Sequence, residues 1–431
     1  MKVFKIYCLF LLLLLNIYSY TQEYWLRTPS PTGRILTRCI FVDSVFGWAA
    51  GDSGTIINTT NSGNNWGIQS SGINDYAIDD IFFLNRRLGW AVSNDYFFNG
   101  TFILKTTNGG LDWSTSRFPD TSVVIGAIYY TDSLHGYATG FSGKVFRTIN
   151  AGINWSECFL DSAGCSLLYG FPKLRIDFLN ASTGFLCGGQ MDIQGITWRT
   201  TNAGLSWNVF CVTPEPLFDI KAINADKVIA CGGDFEFGAM TSTNYNNSSN
   251  WIYDNIELFG VARDLAFRTP EELWLPLSFA QSFAVNLDSG SVNSRWYAIP
   301  APDSTAPYAA QFVSPTLGFA FGSYGAIMKY NTAVIGLQPG STIEEKFSLG
   351  QNYPNPFNPS TVISYTLAKP ELVKITVYDM LGKQIKVLFE GNRPVGFNRA
   401  VFNAQGLASG VYIYKIEAGD FTDTKKMVLL K

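Results

Sequence analysis

The sequence predicts an all-β protein, in which a seven-bladed β-propeller is followed by a small Ig-like β-sandwich. Three observations lead to this prediction. A motif of glycine, an aromatic residue and a small residue recurs about every 45 residues through most of the chain. A second motif, which ends in tryptophan, follows most copies of the first. Beyond residue 331 the repeats stop, and a proline-rich stretch leads into short segments of alternating apolar and polar residues.

The amino-acid composition argues against several classes of function. Only 15% of the 431 residues are charged, against roughly a quarter in an average soluble domain, and the chain has one histidine. Residues 22–346 contain 28 acidic and 19 basic side chains, whereas residues 347–431 contain 6 and 10. This acidic body, with a net charge of −9, argues against a DNA or RNA partner. The single histidine argues against histidine-based catalysis, and no cofactor or metal site is predicted.

The first 21 residues are predicted to form a signal peptide. Lys2 and Lys5 precede an apolar run over residues 6–15, and a polar stretch to Gln22 follows. This order is typical of a secretory signal, with cleavage expected near residues 19–22. A membrane anchor, the alternative, would need roughly 18 or more apolar residues, and no later segment of the chain is expected to span a membrane.

The glycine–aromatic motif is expected to form the second of four strands in each blade. Clear copies begin at Gly47, Gly89, Gly136, Gly184 and Gly318, and two weaker copies surround Ile229 and Trp274. Seven copies at this spacing predict seven blades over residues 22–335.

The tryptophan motif is expected to form the turn between the third and fourth strands and the start of the fourth. Its asparagine and glycine favour the left-handed backbone of a tight turn, and its tryptophan is expected to be buried between neighbouring sheets. Ligand stacking is the alternative for the tryptophan, and it is disfavoured because the residue recurs in every repeat. Clear copies span residues 60–66, 107–113, 149–155 and 201–207, and degenerate copies end at Trp251 and Trp296.

One strand is expected to come from the start of the repeat array. The seventh glycine–aromatic strand, at Phe319, has no tryptophan strand after it, whereas Trp25 precedes the first one. We therefore predict that a strand around residues 24–27 completes the last blade and closes the ring.

The tryptophan motif resembles the Asp-box, or bacterial neuraminidase (BNR) repeat, in the form found in propellers similar to photosystem II assembly factors. The resemblance covers about 310 residues, with Asn61, Asn108, Asn150 and Asn202 in place of the usual aspartate. It implies that the boxes stabilise turns and take no part in catalysis.

A glycoside hydrolase of the sialidase type is the alternative function, because sialidases share both the propeller and the box. Their chemistry needs an arginine cluster, a tyrosine nucleophile with a glutamate, and an aspartic acid–base. The arginines of this sequence are scattered, although spacing does not exclude a cluster in space. His135 lies in a predicted turn over residues 132–136, so a turn residue is favoured over a catalytic base. No catalytic residue is assigned.

A binding site is predicted on the loops between second and third strands, at the end of the propeller opposite the boxes. Three of these loops are enlarged and combine aromatic rings with carboxylates, which suits sugars, peptides or a cation. Solvated loops without a ligand are the alternative. The candidate ligand-binding residues are Asp95, Tyr96, Phe97, Asp192, Asp234, Phe235 and Glu236.

Six cysteines follow the predicted signal peptide, which permits disulfides in an exported chain, although sequence does not determine their pairing. Cys158 and Cys165 flank one loop and are favoured as a bridge. Cys187 and Cys231 occupy equivalent repeat positions, and we expect them to be buried thiols in two adjacent strands.

Residues 336–346 form a predicted linker, and residues 347–431 a second domain. Pro354, Pro356 and Pro359 exclude a helix and predict an extended, turn-rich start. Strands typical of a small β-sandwich are then predicted at residues 362–367, 373–378, 384–389, 399–402, 411–417 and 425–430.

This second domain resembles the type A C-terminal sorting domain of the type IX secretion system, in residues 351–359, 378–383, 407–412 and 425–431. The resemblance implies a Gram-negative bacterium, export across both membranes, and a mature protein that is secreted or attached to the outer surface. It also implies the secretion machinery as a partner. The sorting signal it assigns comprises Asn352, Pro354, Asn355, Pro356, Phe357, Asn358, Gly382, Ser409, Gly410, Lys425 and Lys426.

The sequence thus favours a secreted or cell-surface propeller that acts as a non-catalytic binding or adhesion module for an unknown glycan or protein. A sialidase-type glycoside hydrolase is the first alternative. The second is a scaffold for an extracellular assembly, which depends on the fold resemblance alone.

Overall fold

The computed structural model describes residues 23–95, 100–161, 165, 170–234, 238–246, 248–334, 347–352, 355–393 and 396–430. The predicted signal peptide and linker lie outside these ranges. Within them the regular elements are 37 β-strands and two short 3-10 turns, Pro302–Ser304 and Ser323–Gly325. No helix in this part of the chain is long and apolar enough to cross a membrane. The all-β prediction is confirmed.

Residues 25–330 fold into seven consecutive sheets. β1 (Trp25–Thr28) belongs to the last of them. The first sheet contains β2 (Leu36–Phe41), β3 (Gly47–Gly51), β4 (Ile56–Thr59) and β5 (Gly67–Gln69). The second contains β6 (Ile78–Phe83), β7 (Gly89–Asp95), β8 (Gly100–Thr106) and β9 (Ser114–Arg117). The third contains β10 (Ile125–Tyr130), β11 (Gly136–Gly140), β12 (Val145–Thr148) and β13 (Ser156–Glu157).

The remaining four sheets follow the same plan. The fourth contains β14 (Phe159–Asp161), β15 (Lys173–Phe178), β16 (Gly184–Gln190), β17 (Gln194–Thr200) and β18 (Ser206–Thr213). The fifth contains β19 (Leu217–Asn224), β20 (Lys227–Asp234), β21 (Gly238–Tyr245) and β22 (Trp251–Asn255). In the sixth, β23 (Val261–Ala262) and β24 (Ala266–Phe267) pair with β25 (Leu273–Ser278), followed by β26 (Ser282–Asn286) and β27 (Trp296–Pro300). The seventh contains β28 (Pro307–Ser314), β29 (Leu317–Gly322) and β30 (Ile327–Tyr330) together with β1.

The sheets follow one another around a ring. Neighbouring sheets contact each other in chain order through their inner strands, and the last sheet contacts the first through β28 and β2. The arrangement is a β-propeller, in which the first strand of each sheet lies innermost and short turns connect successive strands.

The N-terminal strand closes this ring, as the sequence predicts. β1 pairs with β30 in antiparallel register, with Trp25 opposite Tyr330. The Trp25 ring is buried against Trp274 and Phe283 of the sixth sheet and Phe312 of the seventh. The strand that comes first in the chain therefore joins the two ends of the propeller.

The glycine of the first motif makes room for an aromatic ring. In the first sheet the ring of Phe41, at the end of β2, covers Gly47 at the start of β3. A β-carbon on Gly47 would lie 2.3 Å from that ring, far inside van der Waals contact. The same arrangement pairs Gly89 with Phe83, Gly136 with Tyr130, Gly184 with Phe178, and Gly318 with Phe312. The motif therefore encodes packing between the first two strands of a blade.

The tryptophan of the second motif packs between sheets, as predicted. Trp66 contacts Phe41 of the first sheet and Phe319 of the seventh. Trp207 of the fourth sheet is fully buried and contacts Tyr137 of the third.

One hydrogen-bond pattern holds the turn before this tryptophan. The Asn61 side-chain oxygen accepts hydrogen bonds from the Thr59 hydroxyl and the Asn65 backbone N–H, both at 3.0 Å. The Thr59 hydroxyl oxygen in turn accepts the Gly63 N–H at 2.9 Å. Because these turn hydrogen bonds need only an acceptor oxygen, asparagine can replace aspartate here. Asn108, Asn150 and Asn202 repeat the pattern. In Asn108 and Asn202 the side-chain amide also donates, to Asp112 Oδ2 and Ser206 Oγ.

The disulfide joins Cys165 to Cys211, so the predicted Cys158–Cys165 bridge is wrong. The chain leaves the third sheet after β13, and β14 adds to the outer strand β18 of the fourth sheet in parallel. This crossing brings Cys165 to β18, which contains Cys211, and leaves Cys158 buried and unbridged, with its thiol pKa raised by burial to about 12. Cys187 and Cys231 are buried, as predicted, but they lie on β16 and β20 of neighbouring sheets and not on adjacent strands.

The second domain contains two sheets around one hydrophobic core. Its strands are β31 (Ser348–Leu349), β32 (Ser360–Leu367), β33 (Glu371–Tyr378), β34 (Gln384–Arg393), β35 (Gly396–Asn403), β36 (Gly410–Ala418) and β37 (Phe421–Leu429). One sheet has the order β31-β32-β35 and the other the order β34-β33-β36-β37. The six strands predicted from alternation are all present, and β31 is an addition to them.

Candidate functional site

The two ends of the propeller carry different connections. Since neighbouring strands run in opposite directions, the connections between second and third strands lie at the same end as those between successive sheets. We call this the loop end. The opposite end, which carries the turns of the tryptophan motif, is called the box end. The described candidate residues Asp95, Asp192 and Asp234 lie at the loop end.

Two of the predicted residues come together there. Asp192 lies in the turn between β16 and β17, and Asp234 ends β20 in the next sheet. One carboxylate oxygen from each of them and one from Glu215, on the connection between these sheets, lie within 4.8 Å of one another. The Asp192 backbone N–H donates to Glu215 Oε2 at 3.0 Å. Asp192 is exposed, whereas Glu215 and Asp234 are buried.

Glu215 is missed by the sequence-based prediction. The signal that could have found it is its position between Pro214 and Pro216, which marks a rigid connection between two blades at the predicted end. Carboxylate oxygens are the ligands of hard cations such as Ca²⁺, so these three residues are the group in the described chain that could hold one. The absence of a metal site stays a prediction.

The other candidates do not join this group within the described residues. Asp95 ends β7 in the second sheet, where its carboxylate accepts a hydrogen bond from the Tyr76 hydroxyl and so raises the pKa of Tyr76. Tyr96, Phe97, Phe235 and Glu236 lie outside the described residues.

The loop end is the acidic end of the propeller. A connection comprises its described residues and the strand residue on either side of it. The acidic residues of the loop end are Asp52, Asp75, Asp95, Asp120, Glu157, Asp192, Glu215, Asp234, Glu257 and Asp303, against Arg34, Arg117, Lys144 and Lys173. Asp161 is not one of them, because it pairs with Asn208, near the box-end start of β18. Those of the box end are Asp43, Asp112, Asp132, Asp226, Glu271, Glu272 and Asp288, against Arg86, Arg87, Lys227, Arg268 and Arg295. The net charges are −6 and −2.

Large apolar side chains are exposed at the loop end as well. Phe141 of the third sheet, Met191 and Ile193 of the fourth, and Tyr324 of the seventh lie in turns between second and third strands. Their exposed fractions are 49, 42, 56 and 80%. Rings and aliphatic groups beside carboxylates give this end the composition of a contact surface.

A second group of charged side chains meets at the centre of the ring. Arg175 of the fourth sheet pairs with Asp80 of the second, at 2.6 Å, and with Asp219 of the fifth, at 3.5 Å. Arg38 of the first sheet lies 3.8 Å from Asp80. The charges are paired within the protein, so the group fits a structural role.

Carboxylates of the first strands also connect neighbouring sheets, at four of the seven junctions of the ring among the described residues. Each accepts a hydrogen bond from a backbone N–H in or beside the first strand of the following sheet. The pairs are Asp80 with Ile128 at 3.0 Å, Asp177 with Ala222 at 2.8 Å, Asp219 with Leu265 at 3.0 Å, and Asp264 with Ala310 at 3.0 Å. Gln311 of the last sheet accepts the Phe41 N–H of the first at 2.9 Å.

Substitution Asp219→Asn should make folding stability less dependent on pH. Burial and the neighbouring Asp264 carboxylate raise the pKa of Asp219, so the folded chain binds a proton that the unfolded chain releases near its ordinary value of about 4. The free energy of unfolding should therefore fall as pH rises from that value toward neutrality. Asparagine keeps the acceptor for the Leu265 N–H but cannot ionise.

Thermal unfolding between about pH 5 and 8 would test this prediction. The melting temperature of the unmodified chain should fall more steeply with pH than that of the variant. Asp177, whose pKa burial raises to about 6, contributes with the same sign to both proteins and cancels in the comparison. Parallel curves would contradict the prediction.

The structure also bears on the hydrolase alternative. Arg38 and Arg175 meet in space although they are distant in sequence, but both are paired with Asp80. A substrate carboxylate would have to displace that aspartate. His135 lies in a turn, as predicted, where its backbone N–H donates to Asp132 Oδ1 and its ring Nδ1 lies near Oδ2, both at 2.8 Å.

In the second domain, the proline-rich segment is hydrogen-bonded to the last two strands, β36 and β37. The Asn352 N–H donates to the Tyr414 hydroxyl at 2.8 Å. Asn355 Oδ1 accepts the Val428 N–H of β37 at 2.8 Å, and the Phe357 N–H donates to the Val428 carbonyl at 2.9 Å. The Phe357 ring is buried in the core.

The other residues of the assigned sorting signal lie on neighbouring elements. Pro356 and Asn358 belong to the same segment, Gly382 to the turn between β33 and β34, Ser409 and Gly410 to the start of β36, and Lys425 and Lys426 to β37. Pro354 lies outside the described residues.

The second domain matches a known protein family. Residues 351–430 match the secretion system C-terminal sorting domain, which confirms the resemblance seen in the sequence. The match supports export by the type IX secretion system to the cell surface or medium, with the secretion machinery as a partner of this domain. No curated protein matches the chain at a significant level.

The propeller is similar to several solved structures. YCF48, a photosystem II assembly factor, bound to D1 peptide has a TM-score of 0.57 and 20% identity over 72% of this chain and 97% of that one. YCF48 from Cyanidioschyzon merolae has a TM-score of 0.58 and 18% identity over 73% and 100%. The GH74 xyloglucanase from Xanthomonas campestris has a TM-score of 0.57 and 12% identity over 79% and 59%. At these identities the similarity shows the propeller fold alone.

Proposed function

We propose that the protein is a secreted or cell-surface propeller of seven blades that binds an extracellular glycan or protein without catalysing a reaction. The observation that carries this proposal is the loop end, where Asp192, Glu215 and Asp234 converge and large apolar side chains are exposed. One similar propeller was solved with a bound peptide, so the fold is compatible with a polypeptide ligand.

The domain limits belong to the same proposal. Seven sheets and the pairing of β1 with β30 support seven blades over residues 22–335. Two sheets around one core support an Ig-like sandwich over residues 347–431, joined to the propeller by residues 336–346.

A glycan array combined with fluorogenic glycosides would test the binding role. The chain without its first 21 residues should bind without turnover, and Asp192→Asn should weaken that binding. Asp112→Asn, an exposed carboxylate at the box end, is the matched control and should have no effect. Hydrolysis of a glycoside would instead favour the sialidase-type alternative.

Residues 347–431 fused to a reporter should carry it out of a cell that has a type IX secretion system. Phe357→Ala should retain the reporter in the periplasm, because it empties the core position that anchors β37. Leu372→Ala, at a position with 58% exposure, is the control and should be exported. Reporter in the medium should be measured by immunoblot. Periplasmic retention of the unmodified fusion would contradict the prediction.

A further inference from the structure

The charge of the propeller is concentrated at one end. The described connections have a net charge of −6 at the loop end and −2 at the box end. The carboxylates of the loop end come from connections around the whole ring, so they form a broad field and not a single cluster. Such a field attracts cations and repels nucleic acids and acidic glycans.

Part of this charge is available to a partner. Asp75, Asp192, Glu257 and Asp303 are exposed. Within the described chain none of these four carboxylates takes part in a salt bridge, whereas Asp120 and Glu157 both pair with Lys144. Glu257 lines a cavity that Arg393 and Arg399 of the second domain also line. The surface carboxylates of Asp75, Asp192 and Asp303 would each gain from a basic partner group.

Exposed apolar groups stand among these carboxylates. Ile193 adjoins Asp192 in one turn, and Tyr324 is 80% exposed in the turn of the seventh sheet. A surface that offers both kinds of contact matches a ligand that carries cationic and apolar groups on one chain.

The box end is the competing surface. Leu111, Ile153 and Leu205 are exposed there by 78, 76 and 61%, at the same position of successive tryptophan-motif turns. Those apolar groups lack the acidic surroundings of the loop end, and nothing in the structure indicates what would cover them. They serve as matched controls.

We infer that the loop end docks a cationic polypeptide segment that also presents apolar side chains. This inference rests on the proposed binding function and names the class of partner. A neutral glycan would gain little from a field of this strength, and a lone divalent cation would use only the group of Asp192, Glu215 and Asp234. A lysine- or arginine-rich segment would use the carboxylates around the ring together with Ile193 and Tyr324.

Fluorescence anisotropy with a labelled peptide of lysine and leucine residues would test the inference on the chain from residue 22. A counterpart peptide with glutamate in place of lysine is the negative probe. The loop-end variant combines Asp75→Asn, Asp192→Asn, Glu257→Gln and Asp303→Asn. The control variant removes the same number of exposed charges at the box end through Asp112→Asn, Asp226→Asn, Glu271→Gln and Asp288→Asn.

The loop-end variant should bind the cationic peptide about tenfold more weakly at low salt, and the control variant less than about twofold more weakly. Ile193→Ser with Tyr324→Ser should also weaken binding, and Leu111→Ser with Ile153→Ser should not. Equal losses in the two charge variants, or none in either, would overturn the inference. Binding of a neutral oligosaccharide that depends on Asp192, with no binding of the cationic peptide, would overturn it and leave the proposed function standing. Hydrolysis of a glycoside would overturn the proposed function itself.

Discussion

Deletion of residues 22–28 should lower the melting temperature of the propeller by about 10 °C or more. β1 is the outer strand of the seventh sheet and pairs with β30 over Trp25–Thr28. The Trp25 side chain is 1% exposed and packs against rings of the sixth and seventh sheets. Asn331 extends this pairing, because its backbone N–H donates to the Tyr24 carbonyl at 2.9 Å and its side-chain amide donates to the Glu23 carbonyl at 2.8 Å.

Point substitutions distinguish the stability contributed by the Trp25 ring from that contributed by the backbone pairing of β1. Trp25→Ala should cost about 3 to 5 kcal/mol of the free energy of unfolding, because it removes a large buried ring. Leu26→Ala on the same strand is the control, since that side chain is 43% exposed and its loss should cost about 0.5 kcal/mol or less. Urea unfolding followed by tryptophan fluorescence and circular dichroism would measure both. An unchanged melting curve after the deletion would show that β1 does not close the ring.

The repeats could be predicted from sequence because single residues enforce them. A β-carbon on Gly47 would lie 2.3 Å from the Phe41 ring, and Trp66 fills the space between the first and last sheets. The glycine constraint acts in five of the seven blades, since Val228 and Leu273 occupy the equivalent position in the fifth and sixth, and the motif recurs often enough to be counted. The closing strand could also be predicted from the repeats. Trp25 precedes the first glycine–aromatic strand, and the last such strand, at Phe319, has no tryptophan strand after it.

The hydrogen bonds that connect the first strands of neighbouring sheets could not be predicted. Asp80, Asp177, Asp219 and Asp264 act through backbone N–H groups of the next sheet, which have no sequence signature. The first strands that carry these residues also repeat less strictly than the second strands. Long-range contacts of this kind depend on the curvature of the ring, which a one-dimensional pattern does not specify.

The candidate site could be predicted only in part. Asp192 and Asp234 were recognisable because both lie in enlarged loops, but Glu215 lies on a short connection and joins them only after the two sheets pack. The prediction of the disulfide was wrong for a similar reason. Cys158 and Cys165 are close in sequence, yet the chain between them passes from one sheet to the edge of the next.

Removal of the Cys165–Cys211 bridge should lower the free energy of unfolding by about 4 kcal/mol, because the bridge closes a loop with a sequence separation of 46 residues. Within the described residues, β14 pairs with β18 over the short stretch Phe159–Asp161, and the Phe159 side chain is 67% exposed. Without the bridge β14 should detach more readily and expose the edge of β18.

The double variant Cys165→Ala with Cys211→Ala, followed by urea unfolding with and without reductant, would measure this effect. Reductant should destabilise the unmodified chain and leave the double variant unchanged. Cys158→Ala is the control, because that thiol is buried and unbridged; the variant should keep its cross-link and its sensitivity to reductant. Loss of the cross-link in Cys158→Ala would instead support the pairing expected from sequence. Equal stability of the double variant and the unmodified chain would show that the contacts of β14 and Leu160, which is 6% exposed, hold the segment without the bridge.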